Sequence, residues 1–127
     1  MAKRVHKTEK APAPIGPYSQ AIEVGGFLFC SGQIALDPVT GQVSNGDIKE
    51  QAELVLKNIK GVLEAADLGF EHVVKTTIFL VDMADFPAVN EVYGNYFQKA
   101  PPARSTVAVA GLPRGVKVEI EVTAMRN

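Results

Sequence analysis

The sequence predicts an α+β or mixed α/β chain in which a sheet of about five or six strands carries two helices on one face. Three observations lead there. Apolar residues recur at helical spacing over 48–67, the runs on either side alternate with period two or are rich in β-branched residues, and the elements follow the order strand, strand, helix, strand, helix, strand, strand. With 127 residues, 46% of them hydrophobic and 21% charged, one compact domain spanning 1–127 is expected.

Taken in order, a short edge strand falls near residues 4–7, and Pro12 and Pro14 keep the next stretch extended. Residues 15–20 form a turn that displays Tyr18. Strands over 19–24 and 27–33 flank Gly25-Gly26, the length and composition of a two-residue hairpin loop. A second turn follows at 37–41, and 42–46 is an exposed loop. Asp47 with Glu50 three residues on marks a helix start. Ile48, Ala52, Val55, Ile59, Val62 and Leu63 then line one side of a helix over 48–67, and Gly69 is the expected stop. Residues 73–81 read as a strand covered on both faces, with Val74, Ile78 and Leu80 on one side and Val73, Phe79 and Val81 on the other. Asp82 or Asp85 caps a second helix reaching Phe97, with Pro87 in its first turn. Strands over 105–110 and 116–125 close the chain around the turn residues 111–115. Val118, Ile120, Val122 and Ala124 share one face of the last strand; Lys117, Glu119, Glu121 and Thr123 share the other. Two helices cover only one face of such a sheet, so the other face is expected to pack against further copies of the chain.

Thirteen Lys and Arg against fourteen Asp and Glu leave a net charge of −1, which disfavours nucleic acid and anionic membrane as partners. No apolar run approaches the ~20 residues of a membrane span. One cysteine, Cys30, excludes an intrachain disulfide framework and reads as a small buried hydrophobe. The N-terminus lacks an apolar signal core, so a cytoplasmic protein is the default. His6 and His72 lie far apart and make no metal pattern, and no glycine-rich loop opens a helix to hold a phosphate.

Chemistry concentrates near Arg104, which Pro101-Pro102 place at the start of an extended run, held by backbone at a rigid corner. An arginine there and carboxylates on a nearby strand suit a small carboxylate ligand and a water. From residue types alone, an ion pair of Arg104 with Glu119 or Glu121 is the simpler reading.

Six motifs tip that balance. Ile15-Gly-Pro-Tyr-Ser-Gln20, Ser31-Gly-Gln-Ile34, Val74-Lys-Thr-Thr77, Val89-Asn90 with Tyr93, Pro102-Ala-Arg-Ser105 and Val118-Glu-Ile-Glu121 stand in the order and spacing of the reactive intermediate deaminase (Rid, YjgF) family. The chain resembles the family's archetypal deaminase subgroup over nearly its whole length. The resemblance implies a chorismate-mutase-like α+β fold with a mixed sheet of about six strands, assembled as a homotrimer with clefts between subunits. It also implies cofactor-free hydrolysis of 2-imino acids, 2-iminobutanoate and 2-iminopropanoate, to 2-oxo acids and ammonia. Pyridoxal-phosphate dehydratases acting on serine or threonine would supply those imines. By the same resemblance Arg104 binds the substrate carboxylate, Glu119 handles the water, and Tyr18, Ser31, Gly32, Asn90 and Thr106 line the site. Thr106 stands where many members carry cysteine, so no thiol chemistry is expected there. The alternatives are a non-catalytic trimer that binds or senses a 2-oxo acid, and an RNA-acting protein.

Overall fold

A computed structural model describes residues 2–127. These residues form a six-stranded sheet in the order β1-β2-β3-β6-β4-β5. The strands are β1 (Arg4–His6), β2 (Ala21–Val24), β3 (Phe27–Cys30), β4 (Val73–Leu80), β5 (Ala103–Ala108) and β6 (Val118–Met125). Every neighbouring pair is antiparallel except β4 and β5, which run parallel, so the sheet is mixed. Helices α1 (Ile48–Ala65) and α2 (Phe86–Gly94) pack on one face, where Val55, Leu56, Ile59 and Val89 meet Ile78, Leu80, Ile120 and Val122 in one core.

The hairpin between β2 and β3 turns on Gly25 and Gly26, with φ of 60° and 85°. Two consecutive left-handed residues make the loop that matches strand twist, and glycine adopts it without a Cβ clash. Helix α1 starts as expected: Asp47 accepts from the Glu50 backbone N–H at 2.9 Å, and the Glu50 carboxylate accepts from the Asp47 N–H at 3.4 Å. It ends at Ala65, short of the expected residue 67 and four residues before Gly69. Asp67 takes the left-handed conformation (φ 57°), the Leu68 N–H reaches back to the Leu63 carbonyl and the Asp67 N–H to that of Glu64. A short polar side chain tolerates that backbone, and buried Leu68 closes the cap against Leu63.

Other boundaries move for identifiable reasons. Helix α2 ends at Gly94 instead of Phe97, because the Asn95 and Tyr96 N–H groups bond three residues back and tighten the last turn. Asp82 caps a 3-10 turn at Met83–Asp85 through the Ala84 N–H, and Asp85 makes no side-chain cap. Strand β3 stops at Cys30, leaving Gln33 to bridge Ile120 alone. In β4 a bulge between Val73 and Lys75 makes Val74 the extra residue. Val73 therefore joins Thr76, Ile78 and Leu80 in the core while Val74 is exposed, which reverses their expected faces.

The face opposite the helices is not bare of apolar groups. Val5, Phe27, Phe29, Val107 and Met125 are 38–58% exposed, and their positions in the strand register put them on that side. Among the described residues no helix is long and apolar enough to cross a membrane.

Candidate active site

Strand β5 forms one edge of the sheet, and its register pairs Arg104 with Thr76, a buried residue of β4. Side chains alternate along a strand, so Arg104 leans to the helix side. There Asn90 of α2 accepts from the Arg104 Nη1 at 2.8 Å. The guanidinium carbon lies 4.8 Å from the Tyr93 ring centre and 5.3 Å from that of Phe86, within cation–π range of both. Tyr93 is itself pinned, because its hydroxyl and that of Thr76 share a 2.8 Å hydrogen bond, and burial pushes its phenol up. Among the described residues no carboxylate lies within salt-bridge distance of Arg104. An exposed guanidinium is thus held by neutral groups with its charge uncompensated. Thr106, two residues on, shares that side of β5 and is half-buried.

The second group of residues surrounds a cleft of about 460 Å³ that Tyr18, Ser31, Gly32 and Glu119 line together. The Gln33 N–H donates to the Ile120 carbonyl at 2.9 Å and the Ile120 N–H returns the bond at 3.1 Å, which ties the 31–33 loop to β6. Ser31 donates its hydroxyl to the Ser19 carbonyl at 2.6 Å, fixing the loop that carries Tyr18. Tyr18 is 51% exposed at the cleft edge, and its hydroxyl accepts from the Ile15 N–H at 3.3 Å. Glu119 is half-buried with its carboxylate over Gly32. A Cβ at that glycine would touch the carboxylate oxygen and stand 3.0 Å from its carbon. Burial, then the nearby charge of Glu121, raises the Glu119 carboxyl above its ordinary value.

The two groups do not meet within one chain. Glu119 pairs with Phe79 of β4 on the face away from the helices, whereas Arg104 points to the helix side, with β4 between their strands. The ion pair of Arg104 with Glu119 or Glu121 is therefore absent, and so is a single-chain site holding both. Asn90 and Thr106 belong with Arg104; Tyr18, Ser31 and Gly32 belong with Glu119.

Residue types alone left several supports unseen. Phe86 beneath Arg104 reads in sequence as one more inward aromatic. Gln20, 2% exposed, bonds the backbone at Thr8, Ala11 and Pro12. Asn58 of α1 donates to the carbonyls of Ile34 and Leu36, at 3.3 and 2.9 Å, and so anchors the cleft loop. The available signal was a polar residue on the apolar stripe of α1, since buried amides take hydrogen-bond partners. Arg114, in a left-handed turn (φ 60°), lines the cleft from the side of β6.

A family model described as Endoribonuclease L-PSP matches residues 8–126. The chain is similar to the mouse protein named 2-iminobutanoate/2-iminopropanoate deaminase, 51% identical over 125 residues, covering 98% of this chain and 93% of that one. Other relatives carry other names: a Pyrococcus abyssi RutC family protein is 53% identical, and Myxococcus xanthus protein DfrA 55%. Among solved structures, the conserved Rid-family protein YyfA from Yersinia pestis superposes with a TM-score of 0.96. It is 49% identical and covers 98% of this chain and 99% of its own. Escherichia coli TdcF with bound serine gives 0.93 at 42% identity, with coverages of 98% and 99%. With the strand order, the two-helix layer and these matches in agreement, the chain belongs to the Rid (YjgF) family, the proteins that share the Endoribonuclease L-PSP model.

Proposed function

We propose that the protein hydrolyses 2-imino acids to 2-oxo acids and ammonia, at sites where the Arg104 side of one copy meets the Glu119 cleft of another. The observation that carries this reading is Arg104, a cation oriented by Asn90, Tyr93 and Phe86 yet left without a counter-charge. Such a group suits the carboxylate of an amino-acid-derived ligand. Relatives named imine deaminases and a structural neighbour holding serine support that ligand class. The opposite placement of Arg104 and Glu119, and the exposed apolar sheet face, support assembly of copies, which we take as a trimer.

The chemistry asks little of the protein. A 2-imino acid protonated on nitrogen is already an electrophile at carbon. Arg104 grips its carboxylate by charge-assisted hydrogen bonds, worth on the order of 1.5–3 kcal/mol, and so fixes the C=N carbon. Glu119 as carboxylate takes a proton from water while the water oxygen bonds to that carbon, giving a tetrahedral amino alcohol. Glu119 then returns that proton to the amino nitrogen, and as the C–N bond breaks it takes the proton of the hydroxyl while the carbonyl forms; ammonia leaves, carries that last proton away as ammonium and leaves the 2-oxo acid behind. Water, substrate and two side chains balance the reaction. The desolvated position of Glu119 favours its role, since a carboxyl raised above its ordinary value takes up a proton more readily.

The test couples the protein to a threonine dehydratase and follows 2-oxobutanoate release. Wild type is expected to accelerate it, and Arg104→Ala to lose about 10- to 100-fold in kcat/KM with assembly unchanged. No acceleration by wild type would remove the hydrolase reading and leave a 2-oxo-acid binder.

A further inference from the structure

Beside its polar residues the Glu119 cleft carries apolar ones from two segments of the chain, and one of those segments has a built support. With Ser31, Gly32, Glu119 and Arg114, the cleft lining includes Pro12, Ala13 and Ile15 of one segment and Ile34 and Leu36 of another.

Pro12, Ala13 and Ile15 belong to the 8–15 arm, outside any helix or strand, so something must hold them. That something is Gln20. Its amide oxygen accepts from the Thr8 N–H at 2.7 Å, and its NH₂ group faces the carbonyls of Thr8, Ala11 and Pro12 at 3.0, 3.2 and 2.9 Å. Two N–H bonds shared among three acceptors leave the amide no spare donor. The arm is braced on its other side by α1, where a Cβ at Gly61 would stand 2.6 Å from the Lys10 carbonyl oxygen, and Ala11 is 1% exposed. Past that brace the chain carries Ile15, 69% exposed, into the cleft lining, where its N–H donates to the Tyr18 hydroxyl.

We propose that the Gln20-held arm is the side-chain wall of the substrate cleft, and that it makes the site prefer imino acids with longer or branched apolar side chains over the shortest ones. This deepens the deaminase reading and rests on it for turnover, whereas binding tests the wall separately. Gln20 acts as a positioning residue, setting where Pro12, Ala13 and Ile15 stand without touching the reacting atoms.

The experiment titrates two stable 2-oxo acids, 2-oxobutanoate and 4-methyl-2-oxopentanoate, into wild type, Gln20→Ala and Ile15→Ala by calorimetry. Wild type is expected to bind the branched acid about tenfold more tightly, the amount two further buried carbons supply. In both variants that ratio should fall to within about threefold. Loss of helical circular dichroism in Gln20→Ala leaves the decision to Ile15→Ala, whose exposed side chain carries no fold. A wild-type protein that binds both acids equally, or a ratio unmoved in every folded variant, overturns the proposal. Imines of both acids left unhydrolysed by wild type, with the binding ratio as expected, would remove the deaminase reading and keep the wall.

Discussion

At Glu119 two influences push in the same direction, burial first and the like charge of Glu121 second. A carboxylate acting as base must be ionised, so activity should fall as pH drops through its pKa, and that limb should lie above the ordinary carboxylate range. Replacing Glu121 by Gln removes the repulsion and lets Glu119 ionise more easily. The acidic limb of kcat/KM should therefore move to lower pH in Glu121→Gln; a limb that stays in place belongs to another group. Gly32 explains why the carboxylate can lie where it does, since any side chain there would displace it. Arg104 was legible in the sequence from the two prolines before it and from the motif around it. Its direction was not. That depends on the parallel register with β4, which pairs Arg104 with Thr76, and residue types do not encode a register between strands distant in sequence.

The elements most legible in the sequence were those whose signals are local: α1 with its Asp47 and Glu50 box, and the Gly25-Gly26 hairpin. The bulge at Val74 escaped because alternation continues through an inserted residue, and the stop at Asp67 because it uses a residue common in turns of many kinds. Between elements, Glu23 of β2 joins three parts of the fold. It bonds His6 of β1 at 2.9 Å and accepts from Arg126 Nε and Nη2 at 2.8 and 3.0 Å, while Arg126 also donates to the Ala66 carbonyl at the end of α1. The Arg126 hydrogen bonds, then that of His6, hold the Glu23 carboxyl down at about 2 from 4.5. A depressed carboxyl stabilises the fold fully above its unfolded pKa, and that stability drains away as pH falls toward the folded value. The melting-temperature gap between wild type and Glu23→Gln should accordingly be constant above pH 4.5 and close between there and about pH 2. A gap independent of pH would show that the carboxylate charge contributes nothing.

For the whole molecule, the division of functional groups between the two faces of one sheet has a direct test. If a site takes Arg104 from one copy and Glu119 from the next, two inactive variants should complement each other. Arg104→Ala and Glu119→Gln subunits unfolded together and refolded as a mixture should regain about a quarter of wild-type activity, the fraction of seams that pair two intact contributors at random. Sites built within single chains would regain none. Assembly of copies was an expectation from element counting in the sequence, because two helices cannot cover both sides of the sheet. Which side chains such a seam would join could not be read there, since that requires knowing that β4 separates β5 from β6.

Cys30 lies inside this architecture at 8% exposure, and burial pushes its thiol up to about 12. As the chain's one cysteine, it stays an unreactive thiol while the fold is intact, because alkylating reagents attack the thiolate. A maleimide or iodoacetamide added to the native protein should therefore wait for the core to open. Mass added per minute would then record spontaneous opening of the molecule, a clock supplied by nature with no probe to install.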